Sequence, residues 1–256
     1  MKNKYNLAAR AALLALVLTA AFALNTTAIA QAPPGSLWYN GDFDGRNGGA
    51  NQDGGQFGAG QYSHLYDNFT GPGTGQMWNV TALFSDNLFA ASLVGQVTTA
   101  NWEIRTGVSS GNGGTVVFSG TNAPATVTPT GRSGFGLNEY MVNVTGLNLT
   151  VNHLASGFYW LSVSPVVPTG VNGQSFQSTT SGANAVGTPP GNDDNSFWNS
   201  NLFNENFAPT TVLFGSGTWD LSGGVIGTVV PEPATVALLT CGVVALLIAV
   251  RRRRGA

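Results

Sequence analysis

The sequence predicts an all-β fold, an antiparallel β-sandwich of jelly-roll type, between two short apolar ends. Three observations carry this expectation. Side chains alternate with a period of two in several windows, as in strands with one buried face. The 35 glycines punctuate those windows with turns. No window between the two ends has the period of an amphipathic helix.

Taken in order, Trp78–Phe84 is the first strand expected. Trp102-Glu103-Ile104-Arg105-Thr106 puts apolar and charged residues on opposite faces. Thr115–Ser119 follows after Gly111-Asn112-Gly113-Gly114, so the two runs read as a β-hairpin. Tyr140–Val144 alternates in the same way, and Leu147–Val151 is a further candidate. Phe158-Tyr159-Trp160-Leu161-Ser162-Val163 begins apolar on both faces, as a central strand does. Thr211–Phe214, Thr218–Leu221 and Val225–Val229 complete the set. Between them, Val166–Asn206 is rich in Gly, Ser, Asn and Pro and is expected as a long surface loop or as short irregular strands. Eight or nine short strands without a repeat period point to a sandwich rather than a solenoid or propeller.

The 256 residues carry 9% charged side chains, about a third of the usual soluble share, which argues against coiled coils and polyelectrolyte tails. The charge is unevenly spread. Between 31 and 230 there are three cations, Arg46, Arg105 and Arg132, against eleven acids, a net charge of −8. Such a body has no basic surface to neutralise phosphates, so no nucleic acid is expected as a partner. One cysteine, Cys241, excludes a disulfide framework, and the core has to be stabilised by burial of aromatic rings instead.

The two ends read as addresses. Lys2, Lys4 and Arg10 precede the 14-residue apolar run Ala11–Leu24, and Ala28-Ile29-Ala30 offers small residues for cleavage before Gln31. This is the layout of a secretory signal peptide over 1–30, with the Sec machinery and signal peptidase as partners. At the other end, Ala234–Val250 is 17 residues without a charge, the lower limit for a transmembrane helix, and Arg251, Arg252, Arg253 and Arg254 follow on the side that should stay cytoplasmic. Residues 31–230 are then the exported domain. Pro231-Glu232-Pro233 reads as a rigid extended spacer before the span.

The order Pro231-Glu232-Pro233, short apolar helix, Arg251–Arg254, chain end resembles the PEP-CTERM sorting signal of exported Gram-negative proteins. The resemblance covers 231–256. It implies a transient inner-membrane intermediate, processing near the motif by an exosortase-like membrane protease, and release to the cell surface or extracellular matrix in hosts that make exopolysaccharide. A permanent single-pass anchor is the competing reading. Trp102-Glu103-Ile104-Arg105, Tyr66-Asp67-Asn68-Phe69 and Gly157-Phe158-Tyr159-Trp160-Leu161 look like patterns of β-rich ectodomains in the same group, and they imply no activity.

Candidate sites within 31–230 are sparse. Asn40, Asp42 and Asp44 place oxygens at positions 1, 3 and 5 of a loop with Gly45 at 6, the spacing of a calcium loop. Position 12 is Asn51 rather than Glu, and a solvated Asp/Gly turn competes. Gly191-Asn192-Asp193-Asp194-Asn195 is a weaker version of the same pattern. No other cofactor is implied. Gly107-Val108-Ser109-Ser110-Gly111 has the spacing of a nucleophile elbow, but the following glycines suit a hairpin and not the helix that motif needs. His64 and His153 are expected as isolated, satisfied histidines. Glu103 and Glu139 are expected to face solvent, opposite the core. Trp38, Tyr39, Trp198 and Phe203 lie in Gly/Asn-rich segments. They are candidates for stacking on a sugar, unless loops fold back and bury them.

The function expected is that of a non-enzymatic, exported surface or matrix protein associated with exopolysaccharide. A secreted carbohydrate-active enzyme on the same fold and a structural matrix protein without a specific ligand are the alternatives.

Overall fold

The computed structural model describes residues 32–155, 157–189, 191–233 and 241. The signal peptide with Ala28 and Ala30, the 234–250 span and Arg251–Arg254 lie outside the described residues. Among the described residues no helix is long and apolar enough to cross a membrane.

The protein is all-β, with 59% of the described residues in strands against about 20–25% in an ordinary globular protein. Fourteen strands form one continuous sheet. In chain order they are β1 (Ser36–Tyr39), β2 (Phe43–Ala50), β3 (Gln52–Gly54), β4 (Tyr62–Phe69), β5 (Gln76–Phe89), β6 (Thr99–Thr106), β7 (Thr115–Gly134), β8 (Leu137–Asn152), β9 (Tyr159–Val167), β10 (Ser175–Thr180), β11 (Phe197–Ser200), β12 (Glu205–Pro209), β13 (Asp220–Leu221) and β14 (Gly223–Pro231). Their spatial order is β1-β14-β5-β8-β7-β6-β9-β3-β4-β11-β12, with β10 bridging β5, β2 and β13. The expected antiparallel arrangement needs one correction. β3 runs parallel to β9, pairing Asp53 with Val166, so the sheet is mixed.

β7 explains how one sheet has two halves. Its first half, up to Pro124, pairs with β6; its second half, from Ala125, pairs with β8. Proline cannot donate to a ladder and sits where one partner is exchanged for the other. Side chains from β1, β5, β8 and β14 then meet those from β4, β6 and β9 in a single core. Phe69 is its centre. Its ring lies 5.2 Å from Trp38, 5.9 Å from Trp78 and 5.4 Å from Tyr159.

The periodicity of the sequence is recovered where one face is buried. In β6, Ala100, Trp102 and Ile104 point inward while Asn101, Glu103 and Arg105 are partly exposed. β9 is buried on both faces, as a central strand should be. The β6–β7 hairpin forms around Gly111–Gly114, and β7 returns into β8 through the two-residue turn Phe135-Gly136, both at positive φ.

Three expectations are corrected. Thr211–Phe214 is a single helical turn, α1, closed by Phe214 N donating to Thr210 O and Gly215 N to Thr211 O at 2.9 Å each. Gly215 at φ +86° ends it. A run of three apolar residues, Val212-Leu213-Phe214, has no period that separates helix from strand. Of the two alternatives for 166–206, the structure has the short strands: β9 runs on to Val167, and β10, β11 and the start of β12 lie within it. Trp38 and Tyr39 (1% exposed each) and Trp198 (6%) are buried, leaving Phe203 (47%) as the exposed member of that group. Trp38 and Tyr39 are held by β1 pairing with β14, and Trp198 by β11 pairing with β4. Glu139 is fully buried rather than solvent-facing, because the β7–β8 hairpin folds Arg132 back over it.

Candidate functional site

Alternation along four neighbouring strands builds a polar groove on the outer face of the β6–β9 region. β6 presents Asn101 and Glu103, β9 presents Ser162, β4 presents His64, and β7 presents Ser119 and Thr121. The groove has a cavity volume of about 120 Å³. That is smaller than the ~300–1,000 Å³ of a drug-sized pocket, so it fits one small polar unit at a time.

Each functional group in it is braced. Glu103 Oε2 accepts the Tyr66 hydroxyl at 2.9 Å and Arg105 Nε at 2.5 Å. The Arg105 guanidinium lies 5.0 Å over the Phe207 ring and donates to Gly113 O, which ties the groove to the β6–β7 hairpin. Burial, then the Glu103 charge, hold the Tyr66 hydroxyl well above the usual phenol value, so it stays a donor. His64 Nε2 is 2.9 Å from Asp53 Oδ2, and its ring lies tilted against Tyr62 at 4.6 Å. Trp102 also lines the groove, and its buried indole Nε1 has no hydrogen-bond partner. Gly120 lies directly against it: a Cβ there would sit 2.4 Å from that nitrogen. A carboxylate, an imidazole, hydroxyls and an amide thus line the groove, a set of donors and acceptors suited to a neutral, hydroxyl-rich ligand.

A second recess of about 200 Å³ lies between Leu88, Phe135, Leu137 and Phe176. Its lining has no titratable group among the described residues.

The expected calcium loop does not form. Asn40 Nδ2 donates to Asp67, Asp42 is bound by Tyr39, Arg132 and Asn184, and Asp44 is bound by Arg46, Thr179 and Ser181. The three side chains turn to three different sets of partners, because Asn40 and Asp42 lie in the connection between β1 and β2, bent at Gly41 (φ +121°), while Asp44 already belongs to β2. Burial opposes ionisation of Asp44, yet the bonds from Arg46, Thr179 and Ser181 outweigh it and hold the carboxyl below its usual range. The structure instead gathers Asp67, Asp193 and Asp220, whose ligand oxygens all lie within 4.8 Å of one another. Only Asp193 belongs to a segment with a visible calcium-like spacing; β4 and β13 supply the others from distant parts of the chain.

The remaining candidates separate. Ser109 sits in a tight turn, exchanging backbone bonds with Asn112, and no helix follows it. His153 Nδ1 donates to Pro72 O (2.8 Å) and its Nε2 lies 3.4 Å from the Thr74 hydroxyl, away from any serine pairing. Glu139 is bonded to Arg132 and Thr130, and Glu103 to Tyr66 and Arg105, so the two glutamates sit in separate clusters. Pro231 ends β14 opposite Gln76, the Glu232 amide donates to Gly75 O at 3.0 Å, and both prolines are exposed. Sequence reasoning missed the groove because His64, Glu103, Ser119 and Ser162 lie on four strands with no local motif. No protein family, curated protein or solved structure matches the chain.

Proposed function

We propose that this is an exported, non-enzymatic surface or matrix protein, held at the inner membrane by its tail, released by an exosortase-like protease, and associated with exopolysaccharide through its β domain. The observation that carries the reading is the order at the chain end: Pro231-Glu232-Pro233, 17 uncharged residues, then Arg251–Arg254. The exposure of Pro231 and Pro233 at the exit of β14 supports it, since a protease needs access there. The finer fold in this reading is a β-sandwich of jelly-roll type, supported by the single core between the two halves of the sheet.

The groove supports saccharide binding rather than cleavage. Two carboxylates at a set separation are needed for glycoside hydrolysis. Among the described residues lining the groove, Glu103 is the single carboxylate, and Tyr66 and Arg105 already engage it.

A glycan array together with a reducing-sugar release assay tests this. Binding without release is expected. Sugar release would replace the reading with a carbohydrate-active enzyme, and neither binding nor release would leave a structural role without a specific ligand.

A further inference from the structure

Asp67 and Asp220 are buried and Asp193 is exposed, and their carboxylates crowd one spot. Among the described residues, none of the three forms an ion pair with an arginine or histidine. Their bonds come from backbone amides and two asparagines. Asp220 accepts from the amides of Asp193 (2.6 Å) and Asp194 (3.1 Å); Asp67 accepts from the amides of Asn68 (2.8 Å) and Leu221. Asn40 Nδ2 donates to Asp67 at 2.8 Å, and Asn68 Nδ2 donates to Asp193 at 2.9 Å.

A second observation points to a ligand. Asn40 and Asn68 are 1% and 0% exposed, and the side-chain oxygens of both are buried without a hydrogen-bond partner. The nitrogens of these two amides are what reach the carboxylate cluster, Asn40 Nδ2 donating to Leu221 O at 3.3 Å as well, and the oxygens point the other way. A half-turn about the last side-chain bond exchanges nitrogen for oxygen at the same place. Two buried carbonyl oxygens beside three carboxylates are then five hard donors. We infer that Asp67, Asp193 and Asp220, with the side-chain oxygens of Asn40 and Asn68, bind one divalent cation of the calcium type.

The chemistry selects the ion. The donors are all oxygens, with neither histidine nor cysteine among them, which favours calcium or magnesium over zinc. Calcium accepts amide carbonyls and irregular geometry, and carboxylate oxygens that all lie within 4.8 Å of one another are close enough to share one such ion. Asp193, on the exposed segment between β10 and β11, offers the way in. Burial, then the neighbouring charges, raise the Asp67 carboxyl well above its usual range, a crowding that a bound cation relieves as protonation otherwise would.

The test is thermal unfolding of the purified full chain in chelator, then with calcium or magnesium chloride up to ~10 mM, a range that covers weak extracellular sites. Calcium is expected to raise Tm by about 3–5 °C, with magnesium less effective. Asp193→Asn, a change at an exposed position, is expected to weaken calcium at least tenfold while unfolding in chelator no lower than the parent chain. Terbium emission excited through tryptophan and displaced by calcium gives a second readout on the folded protein. Absence of any calcium response by both readouts, or a response unchanged in both Asp193→Asn and Asp220→Asn, overturns the inference.

Discussion

Arg132 holds Asp86 at 3.0 Å and, with the same guanidinium, Asp42 at 2.7 Å, while its Nε bonds the fully buried Glu139. One cation thus serves three carboxylates from β5, β8 and the β1–β2 connection. Tyr39 adds its hydroxyl to Asp42 at 2.6 Å and to Asp86 at 3.3 Å, and Ser222 adds another to Asp86 at 2.7 Å. Removing the cation leaves buried charges unpaired, which is far costlier than losing a surface pair. Arg132→Met should lower stability by about 3–5 kcal/mol in urea unfolding. Arg132→Lys should fall between, since a point charge cannot reach three carboxylates as a fork does. A loss below ~1 kcal/mol for Arg132→Met would mean that the cluster is solvated.

The same cluster sets a pH dependence. Burial first, then the Glu139 charge, raise the Asp86 carboxyl to about 7 despite Arg132 and its hydroxyl donors, and one of its oxygens is buried without a partner. The folded state therefore holds a proton that the unfolded chain releases near pH 4. The stabilisation is complete below that value and is lost as pH rises through about 7. In chelator, Asp86 should lower the unfolding free energy by roughly 2–3 kcal/mol between pH 5 and pH 8, and Asp86→Asn should remove that part of the fall. A stability that rises over this interval in the parent chain would contradict the assignment.

Trp102 and Gly120 form the floor of the groove. A methyl group on residue 120 would press on the indole nitrogen at 2.4 Å. Gly120→Ala should cost about 1–3 kcal/mol. Trp102→Phe, which trims that edge of the ring, should recover part of the loss in the double variant. Thermal melts of the four proteins give the coupling directly.

If the groove holds a saccharide, Glu103→Gln should weaken binding by about tenfold or more, the worth of one bond to a charged group. Its Tm should stay within a few degrees, because Glu103 is only partly buried. Calorimetric titration with the saccharide found on the array reads this. An unchanged affinity would move binding away from the groove.

Much of the strand content is legible where a single face is buried. Trp102-Glu103-Ile104-Arg105 announces both its strand and its inward face, and Gly111–Gly114 announces its hairpin. The segment 36–69 is not legible in this way. β2 is Phe-Asp-Gly-Arg-Asn-Gly-Gly-Ala, without a hydrophobic period, and becomes a strand because β10 pairs with it. Gly49 shows the constraint: a Cβ there would lie 2.7 Å from Leu65 and 2.9 Å from Leu213. Buried polar residues defeat alternation for the same reason. Ser85, Asp86 and Asn87 continue β5 inside the protein, where Arg132, Ser222 and Asn51 meet them from far along the chain. The groove and the Asp67–Asp193–Asp220 cluster likewise exist only through strand order, so no local spacing marks them.

Trp198 and Phe203 separate burial from exposure in one segment. Trp198 donates its indole N–H to Ser63 at 2.7 Å and packs with Leu65 and Leu221; Phe203 is 47% exposed and lies tilted against Trp198, ring centroids 5.3 Å apart. Trp198→Ala should cost about 3–5 kcal/mol, and Phe203→Ala below ~1.5 kcal/mol, by urea unfolding. Equal losses would contradict the packing.

The central claim concerns the ends of the mature chain, and intact-mass and terminal-peptide spectrometry of the protein recovered from native cells tests it most directly. The account predicts surface or matrix material that begins at Gln31 and ends close to Pro231-Glu232-Pro233. A cytosolic chain that still carries Met1 and Ala256 would contradict it.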